Sequence, residues 1–268
     1  MNPRRHAGPR VDLNLVRRLE TAARRGWPAA TERETPGGWV LRATPGLDRG
    51  RCNHALTPCR ALAGRELAGA IASVVSFADE HGLRPGIQVS PIALHGRLES
   101  ELDARGWEQQ GSTLVLAGPP PAAFASLDPE LVICDHADEE WLAAWGRCEP
   151  GRDVVAHAAT VFAALRGRAC FARVGHVAVV IGVPWAGTIG MFCLAVDPAR
   201  RREGLARGLA GGLLHPPCHG ELIYVQVEAG NTAALSLYQR LGLREVYRYR
   251  HRVAPASSRD QPVSAGPG

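Results

Sequence analysis

The chain has 268 residues, 46% of them hydrophobic, which suffices for one large domain or two ordinary ones with a buried core. Its formal charge is +5, and all 31 basic residues are Arg. Schiff-base, P-loop and kinase-type chemistry each need a lysine and are excluded, and so mild a surplus does not call for nucleic acid.

Residues 1–10, MNPRRHAGPR, read as a polar, disordered start. No apolar core follows them, so they do not read as a secretory signal. Leu13, Val16 and Leu19–Ala23 form a helical stripe that ends near Gly26. Short strands are predicted at Trp39–Leu41 and Asn53–Leu56, flanking the turn at Pro45-Gly46. Over residues 64–81, Leu67, Ile71, Val74 and Ala78 share one helical face, and Gly82 stops the helix. A strand at Ile87–Val89 follows, then a helix marked by Leu94, Leu98 and Leu102, then Gly106-Trp107 and a strand at Ser112–Leu116.

The stretch 118–129, GPPPAAFASLDP, reads as a linker poor in charge. Beyond it come a strand at Leu131–Cys134, helices at 138–147 and 153–165, and strands at 168–173, 177–183 and 187–196. A helix from Gly204 to Leu214, a strand at 221–228, a helix at 231–241 and a strand at 243–252 complete the pattern. The last strand alternates Leu243, Tyr247 and Tyr249 with Arg244, Arg248 and Arg250, the period of a half-exposed strand. The fold class expected is α/β with a mixed sheet. The expected division is a disordered start at 1–10, a first domain at 11–117, the linker at 118–129, a second domain at 130–253 and a loose tail at 254–268. Both halves end alike: Leu102 to Trp107 and Tyr238 to Leu243 each run helix, Gly, large apolar residue, strand, offset by 136 residues. Two copies of one fold are one explanation; a chance likeness of two helix ends is the other.

No apolar run reaches the ~18 residues of a membrane-spanning helix. The seven Cys (52, 59, 134, 148, 170, 193, 218) and ten His show no metal-knuckle or His-ladder spacing. Reduced thiols in a cytoplasm, with no metal site, are expected.

Chemistry is concentrated at residues 194–207. An apolar strand ends at Val196, a turn follows, and Arg201-x-x-Gly204-x-Ala206 opens a helix. The first turn of a helix leaves N–H groups without partners, and the helix dipole adds a positive end. Gly204 and Ala206 are small enough for a pyrophosphate to approach the backbone, and Arg200, Arg201, Arg202 and Arg207 surround the turn. An ordinary connection with a solvated Arg run is the plainer alternative. No G-x-G-x-x-G is present.

The segment 186–243 resembles the acyl-CoA-binding core of the GNAT superfamily of N-acyltransferases. Arg201, Gly204 and Ala206 match that family's [QR]-x-x-G-x-[GA] motif after a strand ending Val196-Asp197-Pro198. Val225–Glu228, Asn231, Ala234, Tyr238 and Gly242-Leu243 match its second signature, in the same order. The resemblance implies the GNAT fold in a tandem arrangement with a degenerate first copy. It implies acetyl-CoA as acyl-donor cosubstrate, with no metal, and a small-molecule amine as acceptor. The backbone of Leu194, Ala195 and Val196 would pair with the pantetheine amides. The N–H groups of Arg202, Glu203, Gly204, Leu205, Ala206 and Arg207 would hold the pyrophosphate, and Arg201, the first motif residue, would belong to the same cofactor-binding set. Asn231 would line the cofactor channel or cap its helix, and Tyr238 would protonate the departing thiolate.

Many family members carry a Glu base on the central strand, and Thr188–Val196 carries no acid. Glu228, which shares a strand face with Tyr224 and Gln226, is the nearest candidate base; a water chain is the other. Cys193 offers a covalent step only as a secondary possibility. In the first half Arg42, Arg51 and Asn53 are candidates for holding a substrate carboxylate, against the plainer reading of a surface Arg pair beside a hairpin. A non-catalytic acyl-CoA-binding module is the alternative function. No nucleic-acid or membrane partner is expected, and a monomer or homodimer suffices.

Overall fold

The computed structural model describes residues 11–47, 49–58, 60–93, 96–120, 130–149, 155–213 and 218–256. The expected disordered start, most of the linker, the last part of the tail, Leu94 and Leu214 lie outside these. In chain order the elements are α1 (Leu13–Gly26), β1 (Thr31–Glu34), β2 (Val40–Ala43), α2 (Gly50–Asn53), β3 (Ala55–Leu56), α3 (Gly64–Glu80), β4 (Gly86–Val89), α4 (Gly96–Ala104), β5 (Glu108–Gly118), β6 (Leu131–Cys134), α5 (Glu139–Cys148), α6 (Val155–Leu165), β7 (Cys170–Val174), β8 (Ala178–Trp185), β9 (Thr188–Val196), α7 (Leu205–Leu213), β10 (Leu222–Glu228), α8 (Thr232–Arg240) and β11 (Arg244–Val253). This is an α/β chain, as expected.

Two compact units form: Met1–Ala30 with Ser112–Tyr249, and Thr31–Gly111 with Arg250–Gly268. This differs from the expected division. α1 joins the C-terminal half for a packing reason. The Trp27 ring meets those of Phe162 and Phe192, each at 6.1 Å, and Arg18 donates to the carbonyl of Ala186 at 2.8 Å. Asp12 caps α1 by accepting from the N–H groups of Asn14 and Leu15.

In the larger unit the strand order is β11-β5-β10-β9-β8-β7-β6. β6 to β9 form an antiparallel meander, and β9 pairs with β10 in parallel. α7 and α8 pack on one apolar cluster that includes Ile189, Met191, Ile223, Val225 and Val227. In the smaller unit the order is β1-β2-β3-β4-β11. Trp39, Leu41, Ile87, Leu98 and Leu102 build its core with Leu67, Ile71, Val74 and Phe77 of α3. β1, TERE, is exposed at every residue and carries no hydrophobic signal in the sequence.

The echo between the halves extends to the elements themselves. Adding 136 to the bounds of α4 gives those of α8, and adding it to the start of β5 gives the start of β11. β3, α3 and the parallel neighbour β4 repeat β9, α7 and β10. In the first copy, however, α3 is already helical at Gly64, so Arg65 to Ala70 offer no open turn where the second copy has Arg201 to Ala206.

Two of the candidate carboxylate ligands of the first half, Arg42 and Asn53, are engaged in the local fold. Arg42 is buried, binding Glu32 at 2.9 Å and the carbonyl of Arg51. Asn53 accepts from the N–H of Thr44 and donates to the carbonyl of Leu47.

In the smaller unit His54 and His251 face each other, Nδ1 to Nδ1 at 2.8 Å. Burial, with the Arg84 charge nearby, lowers the His54 pKa to about 4. Burial, with His54 and Arg51 nearby, lowers that of His251 to about 3. Unfolded histidine takes up its proton near pH ~6.5. Below that pH the unfolded chain therefore binds more protons than the folded one, and stability falls as pH drops. Urea unfolding of the parent is expected to lose stability between pH 6.5 and 4 more steeply than a His54→Gln, His251→Gln double variant; parallel profiles count against this account.

Candidate functional site

The larger unit's site begins with an irregularity in β9. Ile181 of β8 pairs with Phe192, but Val179 pairs with Ala195, so Val180 faces both Cys193 and Leu194. This is a β-bulge, which bends its strand. Cys193 sits there at φ +51°, a region that L residues other than Asn and Asp rarely occupy. Parallel pairing between β9 and β10 runs only from Thr188 with Leu222 to Met191 with Val225. β9 continues to Val196 on β8 and β10 to Glu228 on β5, without further pairing to each other. The two strands therefore part after Met191, and a cleft opens at their C-terminal ends, where open parallel sheets hold ligands.

At the end of β9, Asp197 turns the chain by accepting from the N–H of Ala199, and a 3₁₀ turn spans Pro198–Arg200. Arg202 and Gly204 both adopt left-handed backbone, at φ +74° and +86°. Among the described residues the backbone N–H groups of Arg201 to Ala206 have no hydrogen-bond acceptor. An extended Arg201 followed by left-handed Arg202 and Gly204 turns the chain before a helix and leaves a run of N–H groups suited to an anion. Arg200 is tied to Glu203 at 2.7 Å, and this pairing holds the Glu203 carboxyl below its usual range. Arg201 donates to the carbonyl of Val196 at 3.4 Å. Arg202 and Arg207 are exposed and, among the described residues, have no ion-pair partner. The Arg-rich turn thus keeps a net positive charge beside Glu203 and Asp197.

The other sequence-predicted residues fall on two faces of β10. Leu194, Val196 and Leu205 pack on the apolar cluster that also holds Val225, Val227 and Tyr238. Tyr238 is buried there on α8, and its carbonyl accepts from the N–H of Leu243. Ala195 is half-buried on β9, opposite Val179. Asn231 caps α8: its Oδ1 accepts from the N–H of Ala234 at 3.1 Å. Glu228 lies on the opposite face of β10, exposed at the strand's end beside Thr113 of β5. The structure therefore brings the strand end, the turn and Tyr238 together on one side and sets Glu228 on the other.

The sequence places Gln226 on the strand face of Glu228 but assigns it no role. It sits between Tyr224 and Glu228 on the same face, one residue beyond the last β9–β10 pair. Its Oε1 is buried with no hydrogen-bond partner among the described residues, an unusual condition for an acceptor atom. The period-2 row Tyr224, Gln226, Glu228 was the available signal. Cys193 occupies the bulge, half-buried. The Arg side chains of the last strand are engaged with carboxylates: Arg248 with Glu245, Arg250 with Glu99, and buried Arg252 with Glu99 and Asp103. Among the described residues no cluster of three His, Cys, Asp or Glu is placed to hold a metal ion. None of their helices is long and apolar enough to cross a membrane.

The family model described as "Probable histone acetyltransferase Rv0428c C-terminal" matches residues 14–252. No curated protein matches the sequence. A GCN5-related N-acetyltransferase from Kribbella flavida superposes with a TM-score of 0.64 at 14% identity, covering 91% of this chain and 96% of its own. A tandem GNAT protein from the clavulanic acid biosynthesis pathway superposes at 0.57 with 15% identity, covering 94% and 91%. A GCN5-related N-acetyltransferase from Sphaerobacter thermophilus superposes at 0.52 with 16% identity, covering 76% and 74%. At these identities the likeness is one of fold: a GNAT fold, shared over nearly the whole chain with a tandem member.

The paired part of β9 and β10 is held together by close packing. A Cβ at Gly190 would lie 2.5 Å from the Tyr224 hydroxyl and 2.7 Å from the Phe192 ring. Gly190→Ala is expected to destabilise the protein by about 1–3 kcal/mol in urea unfolding. Gly208→Ala on α7, where the added atom meets open space, is expected to stabilise by about 0.5–1 kcal/mol. Equal effects of the two substitutions contradict this packing account.

Proposed function

Because the chain belongs to the acetyltransferase family described as "Probable histone acetyltransferase Rv0428c C-terminal", we propose that it is an N-acetyltransferase that moves an acetyl group from acetyl-CoA to the amine of a small molecule. One observation carries the reading. β9 and β10 part after Met191 immediately before an uncapped turn with left-handed Arg202 and Gly204. The parted strands accommodate an extended amide chain that pairs with Leu194 to Val196, and the turn accommodates its pyrophosphate. Tyr238, in the apolar cluster with Leu194 and Val196, supports the role of proton donor to the leaving thiolate.

An alkylammonium has a pKa of about 10, so a proton must leave before the nitrogen can attack. In our reading Glu228 takes that proton, directly or through water, and the Gln226 Oε1 accepts an N–H of the amine to orient it. The neutral nitrogen attacks the thioester carbonyl, the C–S bond breaks, Tyr238 protonates the sulfur, and the second proton lost from the nitrogen returns to the Tyr238 phenolate through water. No acyl-cysteine is required. The family's description names histone, a basic protein. The cation-rich turn beside the cleft favours a small amine over a lysine-rich tail, since like charges repel across an interface. We place the protein in the cytoplasm as a monomer or homodimer.

Calorimetric titration with acetyl-CoA tests the reading. Binding in the micromolar range is expected; none at high micromolar cofactor removes the proposal, and binding without thiol release across an amine panel turns it into an acyl-CoA-binding module. Gly204→Val is expected to weaken acetyl-CoA binding about tenfold or more, because φ +86° strains any β-branched residue. Tyr238→Phe is expected to cut kcat about a hundredfold with cofactor affinity retained; unchanged turnover removes Tyr238 from the acid role.

A further inference from the structure

Among the described residues six cysteines are free thiols, and two of them meet in the larger unit. The Sγ atoms of Cys170 and Cys218 lie 2.7 Å apart. That is about 0.7 Å beyond an S–S bond of ~2.05 Å. The sheet and α7 together build this contact. Cys170 opens β7, opposite Gly182 of β8. Gly182 has no room for a side chain, because Leu213 at the end of α7 packs on it, 2.6 Å from where a Cβ would sit. Beyond Leu213 the chain brings Cys218 over the same rung, with its sulfur 3.9 Å from the Gly182 carbonyl.

Both thiols belong to the unit's apolar cluster, where a lone cysteine acts as a small hydrophobe. Converging sulfurs add a reaction to that packing role. The Cys218 S–H donates to the Cys170 sulfur. This holds the Cys170 thiol below its ordinary pKa and pushes that of Cys218 up. Cys218 is fully buried and Cys170 is 8% exposed, so Cys170 is the more accessible as well as the more nucleophilic of the two. By contrast, burial lifts the Cys148 thiol to about 11 and raises that of Cys134.

We infer that Cys170 and Cys218 form a modification site: a hydroperoxide converts the pair to a disulfide in the folded protein, and a dithiol restores it. The Cys170 thiolate attacks the outer peroxide oxygen and the O–O bond breaks. The remaining oxygen leaves as an alcohol, or as water from hydrogen peroxide, carrying the proton lost by Cys170. Cys170 is then a sulfenic acid. The Cys218 sulfur displaces its hydroxyl, the S–S bond forms, and the hydroxyl departs with the Cys218 proton as water. Two thiols are oxidised by two electrons and one peroxide is reduced. The bond closes the loop from 170 to 218, which holds β8, β9 and α7. Closing it removes chain entropy from the unfolded state and so favours the folded one. The site does not depend on the acetyltransferase reading, and Cys193 takes no part in it.

The test treats the full, reduced, folded chain with a molar excess of hydrogen peroxide. Remaining thiols are blocked with iodoacetamide, and tryptic peptides are mapped without reductant. Cys170, Cys193 and Cys218 fall on separate peptides, 169–173, 174–200 and 208–240. Peptide 169–173 is expected to be joined to 208–240, lighter by two hydrogen atoms than the separate pair, and to be released by dithiothreitol. The oxidised protein is expected to melt about 5 °C or more above the reduced one. Cys218→Ala is expected to lose the link and to leave a sulfenic acid on Cys170 that dimedone captures at least about tenfold more than in the parent. No link between these peptides in the parent, links formed as readily between other cysteines, or an oxidised parent that melts no higher than the reduced one overturns the proposal.

Discussion

The bulge at Cys193 in β9 is the constraint from which the rest of the site follows. Without it, β9 and β10 would continue their parallel ladder past Met191 and Val225, and the backbone of the strand ends would be consumed by the sheet. With it, the strand bends at the cost of one residue in left-handed conformation. Everything N-terminal to the bulge resists that opening. Phe192 packs between Trp27 and Tyr224, edge to face with the latter, and Gly190 leaves no room for a side chain against Phe192 and Tyr224. The lower half of the ladder is clamped and the upper half is free, so the parting has a fixed position. A fixed cleft is what a reacting thioester needs, because its carbonyl must meet the amine in a narrow range of geometry.

Much of this was legible in the sequence, for identifiable reasons. The meander, β9, α7, β10, α8 and β11 each combine a clear hydrophobic period with a turn or cap signal, such as Asp138 before α5 or Asn231 before α8. The Arg201, Gly204, Ala206 spacing reports a local backbone shape, and local shape is what sequence encodes most directly. The bulge was not legible: Phe192-Cys193-Leu194 is apolar on either register, so periodicity does not reveal the extra residue. β1 was invisible because all four of its side chains face water. The place of α1 was missed because Trp27 acts through partners 135 and more residues away, Phe162 and Phe192. Glu228 and Tyr238 were legible as candidates, but that β10 separates them onto opposite faces follows only from which side α7 and α8 cover.

The repeat explains what the first copy kept and what it lost. It retains a parallel pair with a crossover helix, and the elements after it keep their spacing to the residue at α4 and at the start of β5. The loss is at the turn. α3 is longer than α7, and its added N-terminal residues are those that would otherwise form an open turn. Extending a helix by a turn converts donors that could face an anion into donors bound to their own carbonyls. The first copy therefore keeps the architecture and lacks the open turn that the proposed function uses in the second.

The distribution of arginine has the same logic. Residues 200–252 contain nine Arg against four Glu, a surplus of five that equals the net charge of the whole chain. Counted by partner, that surplus is not spread evenly. Arg248, Arg250 and Arg252 neutralise carboxylates within the protein, and Arg240 binds Ser236. At the turn, by contrast, one Glu faces Arg200, Arg201, Arg202 and Arg207, and only Arg200 is paired with it. Exposed guanidinium groups beside unpartnered backbone N–H groups add a long-range attraction to a short-range fit. On the proposed function, the first draws the cofactor's pyrophosphate to the end of β9 and the second orients it. The absence of lysine sharpens this arrangement, because a planar guanidinium binds phosphate oxygens two at a time where an ammonium acts as a single point of charge.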